Sequence, residues 1–404
     1  MDFVCLGDGE VAFPKLCRVL LENRDVTKED LPNIFFRRGG KLYQNRLIAE
    51  DDIDRYEFPF FSDTDIYEIS SNALIPHRDS SNKTYNVYAS RGCPYKCSYC
   101  SNHLFSGNYP GKRYYRARSV QNVIDEILSA RQKNAAINTI IFHDEQFGLN
   151  KKWFEEFIIK YKRNIDLPFF VQMNPKDLAM DKADKMKHCG LQLMSFGVQS
   201  ASPRIRELYD RPEALNDVQH ANAILHKLRI PHFFDLIVDN PVEKVEDLEE
   251  TLLFLFRLKK PFVAKTFDLI HLPKTKLTNY LLENKLIQED NVEGNYEYDK
   301  EINWRVTGTD TTMTYDQQFV VALIHLTGNL FVPNRLINFL LNRRDKIPPI
   351  VKSRLTKLTL SKSYYYKISI FNYAIGLILE KRFLFVFHKT LSKIIRTIKH
   401  RYVK

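Results

Sequence analysis

"YNVYASRGCPYKCSYCSN", residues 85–102, decides how the chain is read. A strand-like run ends in a glycine turn. Three of the chain's six cysteines, Cys93, Cys97 and Cys100, then fall within eight residues, spaced C-x-x-x-C-x-x-C. That density is too high for three unrelated core thiols. Cysteine thiolates are the natural ligands of iron–sulfur clusters, and a cubane is ordinarily held by four of them. Three would leave one iron open to chelate a small molecule through an amine and a carboxylate. Gly92 and Pro94 suit an irregular loop wrapped around such a group. The same spacing admits zinc, because His103 lies three residues after Cys100 and completes a four-ligand set.

Outward from this stretch, strand and helix patterns alternate as far as about residue 285. The strand-like runs are YNVYAS, NTIIFHD, FFVQMN, LQLMSFGV, HFFDLIVD and TFDLIHL. Their near-continuous apolar character predicts parallel strands buried on both faces. One intervening helix starts after Ser119, a good N-cap, with Val120, Ile124, Ile127 and Leu128 on one side. Another gathers Phe154, Phe157, Ile158 and Tyr161, and a third ends at Gly190, a plausible C′ glycine. Six successive β–α units predict an α/β fold, a partial (β/α)6 barrel of the TIM type.

Barrel chemistry sits where the strands end. Here those ends are polar: Ser90-Arg91-Gly92-Cys93, His143-Asp144-Glu145, Gln172-Met173-Asn174, Gly197-Val198-Gln199-Ser200, Asp239-Asn240 and His271. Six polar ends on one rim beside a thiol cluster point to a site there. His143, His232 and His271 fit an acid/base group or a packed ring equally, and no catalytic residue is assigned. Cys5, Cys17 and Cys189 fall in apolar patterns and read as buried structural thiols.

The flanks differ from the core. The lead-in has a short buried strand (DFVCLGDGE), a helix (VAFPKLCRVLLEN) and a hairpin around Gly39–Gly40. Beyond about residue 290 the pattern turns helical, as in YDQQFVVALIHLTGNLF and PNRLINFLLNRRDK. The expected organisation is a short α/β unit and linker over 1–80, the barrel core over 81–290, and a helical extension over 291–404.

The net charge of +11 is uneven. Residues 350–404 hold 13 Lys/Arg against one acid, Glu380, while the other 349 residues balance at −1. The basic tail alternates apolar blocks with Lys and Arg, which suits a helix on an anionic membrane surface or a helix docked on a partner. No RNA-binding module is recognisable, so nucleic acid is not the expected partner. Six cysteines are too few for a disulfide scaffold and point to a reducing cytoplasm, with peripheral membrane contact through the tail. Neither a cleavable leader nor a run of about 20 apolar residues is visible.

CPYKCSYC after a first strand, followed by β–α units, resembles the radical S-adenosylmethionine superfamily, and the resemblance covers residues 85 to about 285. It implies that Cys93, Cys97 and Cys100 bind a 4Fe-4S cluster whose open iron chelates S-adenosylmethionine. Reductive cleavage of that cofactor would then yield a 5′-deoxyadenosyl radical. Tyr99 matches the family's aromatic residue before the last cysteine. The resemblance further implies an acidic contact from Asp144 or Glu145, with Glu145 favoured. It puts Gln199 where relatives carry an acid, and sets Asn174 facing the same pocket.

DFVCLGDGEVAFPKL, FHDEQFGLN and DLIVDNPVEKVEDLEETLLFL resemble the cobalamin-dependent branch, so residues 1–80 read as the remnant of a cobalamin-binding domain. The lower-ligand motif D-x-H-x-x-G is absent, since none of the eleven histidines has Asp two residues before it. The implied cofactors are the cluster and S-adenosylmethionine, with cobalamin in question. The implied partners are a small-molecule or lipid-like substrate and a flavodoxin- or ferredoxin-type reductant. The alternative is a truncated, non-catalytic iron–sulfur or zinc-binding paralogue.

Overall fold

The computed structural model describes residues 2–60, 67–70, 73–76, 82–107, 115–292 and 312–360; the basic tail beyond residue 360 lies outside them. The chain opens with strand β1 (Phe3–Cys5), helix α1 (Gly9–Leu21) and the hairpin β2 (Ile34–Arg38) and β3 (Lys41–Gln44). Gly39 and Gly40 between them have φ of 56° and 77°. Two positive φ values in a two-residue loop match the twist that a tight hairpin needs, which explains the glycine pair. A second hairpin follows, β4 (Tyr67–Ser70) with β5 (Ala73–Pro76).

The expectation of buried thiols fails here. Cys5 is exposed and Cys17 is half-buried. β1 is an edge strand of the sheet β1-β2-β3, so its apolar residues Val4 and Cys5 face solvent. Cys189, by contrast, is buried, with its Sγ 3.5 Å from the carbonyl of Ile158.

The core begins with β6 (Thr84–Val87) and the short strand β7 (Ser90–Arg91). The cysteine loop, helix α2 (Asn102–Gly107) and β8 (Arg116–Ala117), antiparallel to β7, come next. Four units then repeat: α3 (Val120–Lys133) with β9 (Thr139–Phe142), α4 (Lys151–Asn164) with β10 (Phe169–Met173), α5 (Met180–Cys189) with β11 (Leu191–Gln199), and the pair α6 (Pro203–Tyr209) and α7 (Leu215–Leu228) with β12 (His232–Val238). Helix α8 (Val245–Leu255) leads to β13 (Val263–Asp268). The strands β6-β9-β10-β11-β12-β13 form one parallel sheet, each paired with its successor, as an open half-barrel requires.

Local chemistry sets the helix limits. Ser119 caps α3 by accepting from the backbone N–H of Asn122 at 3.1 Å. α5 stops at Gly190, whose φ is 118°; a Cβ there would stand 2.9 Å from the carbonyl oxygen of Leu167, so a side chain is excluded twice over.

Burial alternates along the strands, most regularly in β12, where His232, Phe234, Leu236 and Val238 are buried and Phe233, Asp235 and Ile237 are not fully so. The buried set faces the helices and joins the main core. The rings of Phe142, Phe147 and Phe157 meet there at centroid distances of 4.8–5.4 Å. Each such ring contributes about 1.5–3 kcal/mol by burial.

The sequence predicted strands buried on both faces. Only the outward face meets that expectation, because six strands do not close and the concave face borders a cleft. The last strand also starts three residues earlier than TFDLIHL suggests and stops at Asp268, where its pairing with Val238 ends. After β13 come α9 (Lys276–Glu283), α10 (Tyr315–Thr327), α11 (Asn334–Leu341) and α12 (Pro349–Leu360), with α10 packed on α8 and β13.

Candidate active site

The loop after β7 brings all three cysteines to one cleft at the C-terminal rim of the sheet. The cleft encloses about 650 Å³, mouth included. It is walled by Cys93, Cys97 and Cys100 with Tyr99, Glu145, Asn174 and Gln199. The structure therefore gathers the three cysteines with Tyr99, Glu145, Asn174 and Gln199, and leaves Asp144, the other acid considered, outside the wall. Asp239, Asn240 and His271, expected at strand ends, follow β12 and β13 and lie outside this wall.

The donor geometry separates the two metals. Among the described residues no three His, Cys, Asp or Glu side chains converge on a single ion, as a zinc site requires. His103 instead turns its Nδ1 to the carbonyl oxygen of Cys100 at 2.6 Å. A cubane places each thiolate on a different iron, so separated thiols around one cleft fit it. Burial pushes the Cys93 thiol up to about 12 and raises Cys100 as well. Thiols so placed become thiolates through the charge of bound metal. Two N–H donors already face the sulfurs: Arg211 Nη1 lies 3.6 Å from Cys97 Sγ, and Asn102 Nδ2 lies 3.6 Å from Cys100 Sγ. Such contacts tune the potential of a cluster.

Asp144 and Glu145 part company in the fold. Asp144 is 1% exposed and turned away from the cleft. It accepts from the backbone N–H of Ala89 at 3.0 Å and from Ser90 Oγ at 2.5 Å, clamping the chain just before the cysteine loop. Burial pushes its carboxyl up to about 7. Glu145 lines the cleft, accepts from Asn102 Nδ2 at 3.4 Å, and is raised by burial.

Gln199 closes β11 with φ of 66°, at a bulge where the pairing with β12 skips Val198. A non-glycine residue held there stores strain, which often accompanies function. Asn174 is engaged by protein: its backbone N–H donates to Gln146 Oε1 at 2.7 Å and its Nδ2 donates to Glu213 Oε2 at 2.9 Å. His232 is a packed ring between Asn222 and the Ile230 carbonyl, and burial pushes it down to about 4.

Sequence reasoning missed Arg211. It sits in the loop between α6 and α7, donates to Tyr99 Oη at 2.8 Å, and is held by Glu213 at 2.8 Å. Arg206 braces the same carboxylate at 3.2 Å. Burial opposes the charge on Arg211, but Tyr99 and Glu213 outweigh it and hold the guanidinium charged. The only local signal was the pairing of charges in Arg-Pro-Glu at 211–213. Asp8 was missed too; it bridges Arg91 at 3.0 Å and Arg116, tying the lead-in to the strands that flank the cysteine loop.

A half-barrel with a thiol-lined cleft at its strand ends defines the class. Residues 87–255 match the family model described as Radical SAM superfamily. Its cofactors, a 4Fe-4S cluster and S-adenosylmethionine, suit the donor set found here.

Among curated relatives, an uncharacterized methyltransferase of Pyrococcus horikoshii is 27% identical over 291 residues, 71% of this chain and 59% of that protein. An anaerobic magnesium-protoporphyrin IX monomethyl ester cyclase of Rubrivivax gelatinosus is 27% identical over 258 residues, 62% of this chain and 44% of the relative. Among solved structures, the cobalamin-dependent S-adenosylmethionine radical enzyme OxsB with aqua-cobalamin bound superposes with a TM-score of 0.55 at 14% identity, over 91% of this chain and 59% of that one. That likeness establishes the fold. The chain thus spans well under two thirds of the length of each of these proteins.

Proposed function

We propose that the chain is a radical S-adenosylmethionine enzyme in which Cys93, Cys97 and Cys100 ligate the cluster. The observation that carries this reading is the convergence of three loop thiols, two N–H donors to sulfur and the buried Arg211 on one cleft at the strand ends. When bound, the cluster supplies the electron that cleaves the sulfonium bond of S-adenosylmethionine, releasing a 5′-deoxyadenosyl radical.

The residues of the chain hold and orient the partners. Arg211 sets a fixed positive charge where thiolate and carboxylate charge gathers. Glu145 accepts the cofactor's ammonium group. Tyr99 packs edge-on against Tyr209 at 5.0 Å and walls the cleft. Gln199 hydrogen-bonds the cofactor without charge, and Asn174 keeps Gln146 and Glu213 in place. The buried walls limit water, which protects a reactive radical.

The division into 1–80, 81–290 and 291–404 belongs to this proposal, supported by the end of the parallel sheet at Asp268. The methyl-transfer and ring-closure chemistry named for the relatives supports a small-molecule or lipid-like substrate, with electrons from a flavodoxin- or ferredoxin-type protein. Residues 1–60 contain no histidine, so this reading assigns cobalamin no axial ligand from them.

Anaerobic reconstitution should give about four irons and four sulfides per chain. With reductant and S-adenosylmethionine it should give 5′-deoxyadenosine. Cys97→Ala should lose both, and a variant that kept its full iron would refute the ligand assignment.

The C-terminal face supports a further element of the proposal, contact with an anionic membrane surface. α11 buries Ile337 and Leu341 and turns Leu336 and Phe339 outward, with the Arg343 guanidinium 4.4 Å over the Phe339 ring. Apolar side chains beside basic ones suit a charged bilayer. Among the described residues no helix is long and apolar enough to cross a membrane. The protein should sediment with phosphatidylserine vesicles and stay free of phosphatidylcholine ones; equal binding to both, or to neither, refutes the contact.

A further inference from the structure

The concave face of the half-barrel presents two opposite charges that attract one another but, among the described residues, form no close ion pair. Asp235 on β12 and Lys265 on β13 stand opposite each other in parallel register. Their strand neighbours Phe234 and Ala264 point outward into the main core, so both charges face the barrel interior.

Asp235 walls the same cleft as the cysteines. Its Oδ2 accepts from Ser195 Oγ at 2.6 Å, while its Oδ1 is buried and, among the described residues, has no hydrogen-bond partner. Lys265 lays its Nζ 3.8 Å over the ring of Phe233, and no carboxylate among the described residues lies within 4.0 Å of it. Burial raises Asp235 and lowers Lys265, and the attraction between the two charges offsets this only in part.

Depth places the pair. Asp235 lies three residues before the end of β12, roughly 10 Å below the rim at the usual rise per residue. The cysteine loop occupies the rim, so Asp235 lies on the floor beneath it, with Lys265 opposite on the neighbouring strand. A structural ion pair would close on itself. Here Ser195 steers one carboxylate oxygen and an aromatic ring steers the ammonium, and Asp235, which walls the cleft, keeps its other oxygen unpartnered among the described residues.

We propose that Asp235 and Lys265 form the substrate's head-group subsite, and that the group they take is the zwitterionic end of an α-amino acid. Its ammonium donates to Asp235 Oδ1 and its carboxylate accepts from Lys265 Nζ. Ser195 is a positioning residue, fixing the rotamer of Asp235. The inference rests on the reading of the cleft as a radical S-adenosylmethionine site, with the cofactor's own amino and carboxylate groups held at the rim.

The test uses cluster-loaded protein under anaerobic conditions. Each of the twenty protein L-amino acids, and separately S-adenosylmethionine, is added at millimolar concentration while Tm is read. At least one amino acid should raise the Tm of the wild type by about 2 °C or more, as ligand linkage predicts. Asp235→Asn and Lys265→Met should each abolish that rise, while iron content and the shift produced by S-adenosylmethionine stay at wild-type values.

Three results would overturn the proposal. One is no shift with any amino acid, or a shift that survives both substitutions. Another is loss of the S-adenosylmethionine shift in both variants with iron intact, which makes the pair a cofactor contact. The third is a loss of Tm in each single variant that the double variant restores, which makes the two a structural ion pair. Wild-type protein that took up no iron would instead refute the reading of the cleft itself, so the two failures are distinguishable.

Discussion

The same six strands carry two faces of opposite character. Outward, Phe142, Phe169, Phe196 and Phe234 are fully buried against helices. Inward, the strands present Gln172, Ser195, Gln199, Asp235 and Lys265, with a left-handed backbone at Gln199 and an orphan oxygen at Asp235. The outward face is mainly packed rings, whereas the inward face keeps backbone strain and an unmet carboxylate oxygen. Stability and chemistry are therefore separable by residue parity along a strand, and substitutions can show how clean that separation is.

The largest effect should come from Phe157→Ala on the outward side. Phe157 is fully buried and stacks at 5.2 Å on Trp153, so its loss should cost about 3–5 kcal/mol in denaturant unfolding. The iron content of the folded fraction should not change. A loss of iron in protein that remains folded would show that the faces are coupled.

Glu213→Gln probes a buried ion pair on the inward side. The Glu213 side chain is fully buried and holds both Arg206 and Arg211. Removing its charge strands two cations at a cost of about 3 kcal/mol. Unlike Phe157→Ala, it should also weaken binding of S-adenosylmethionine, measurable by equilibrium dialysis.

Asp144 sharpens the comparison through pH. Its folded carboxyl is raised to about 7 from an ordinary 3.8, so the folded chain keeps a proton that the unfolded chain has released. Stability from this group is greatest below about pH 4 and falls as pH climbs to about 7. Across that window the Tm advantage of the wild type over Asp144→Asn should shrink as pH climbs, and a constant difference would refute the raised carboxyl.

The smallest effect has the opposite sign. Gln199→Gly relieves a φ of 66° and should raise stability by about 1 kcal/mol. It should at the same time weaken S-adenosylmethionine binding. A glycine variant that gained stability and bound as before would remove Gln199 from the site.

Much of this architecture was legible because it depends on short-range patterns. Hydrophobic periodicity located all six strands of the sheet, and Ser119 and Gly190 marked helix ends through backbone geometry that few residue types satisfy. The cysteine spacing pointed to the cleft for the same reason. What escaped notice depends on contacts between distant segments. The preference for Glu145 over Asp144 came from family resemblance and not from local pattern, because a one-residue difference decides which side chain turns toward Ser90 and which toward the cleft. Arg211 and Asp235 read as an ordinary loop cation and a strand acid until Cys97 and Ser195 were beside them. Cys5 was misjudged because apolar neighbours predict burial only when another element covers them, and β1 lies at an edge.

The bridge from Asp8 to two arginines has layers that respond differently to dissolved ions. The Arg116 side chain is 6% exposed, so mobile ions hardly reach its bond to Asp8. Arg91, 35% exposed, holds Glu10 at the surface, where screening is effective. Concentrated salt would unfasten the outer clasp while the inner one stays shut, loosening the hem of the cysteine loop without letting it go.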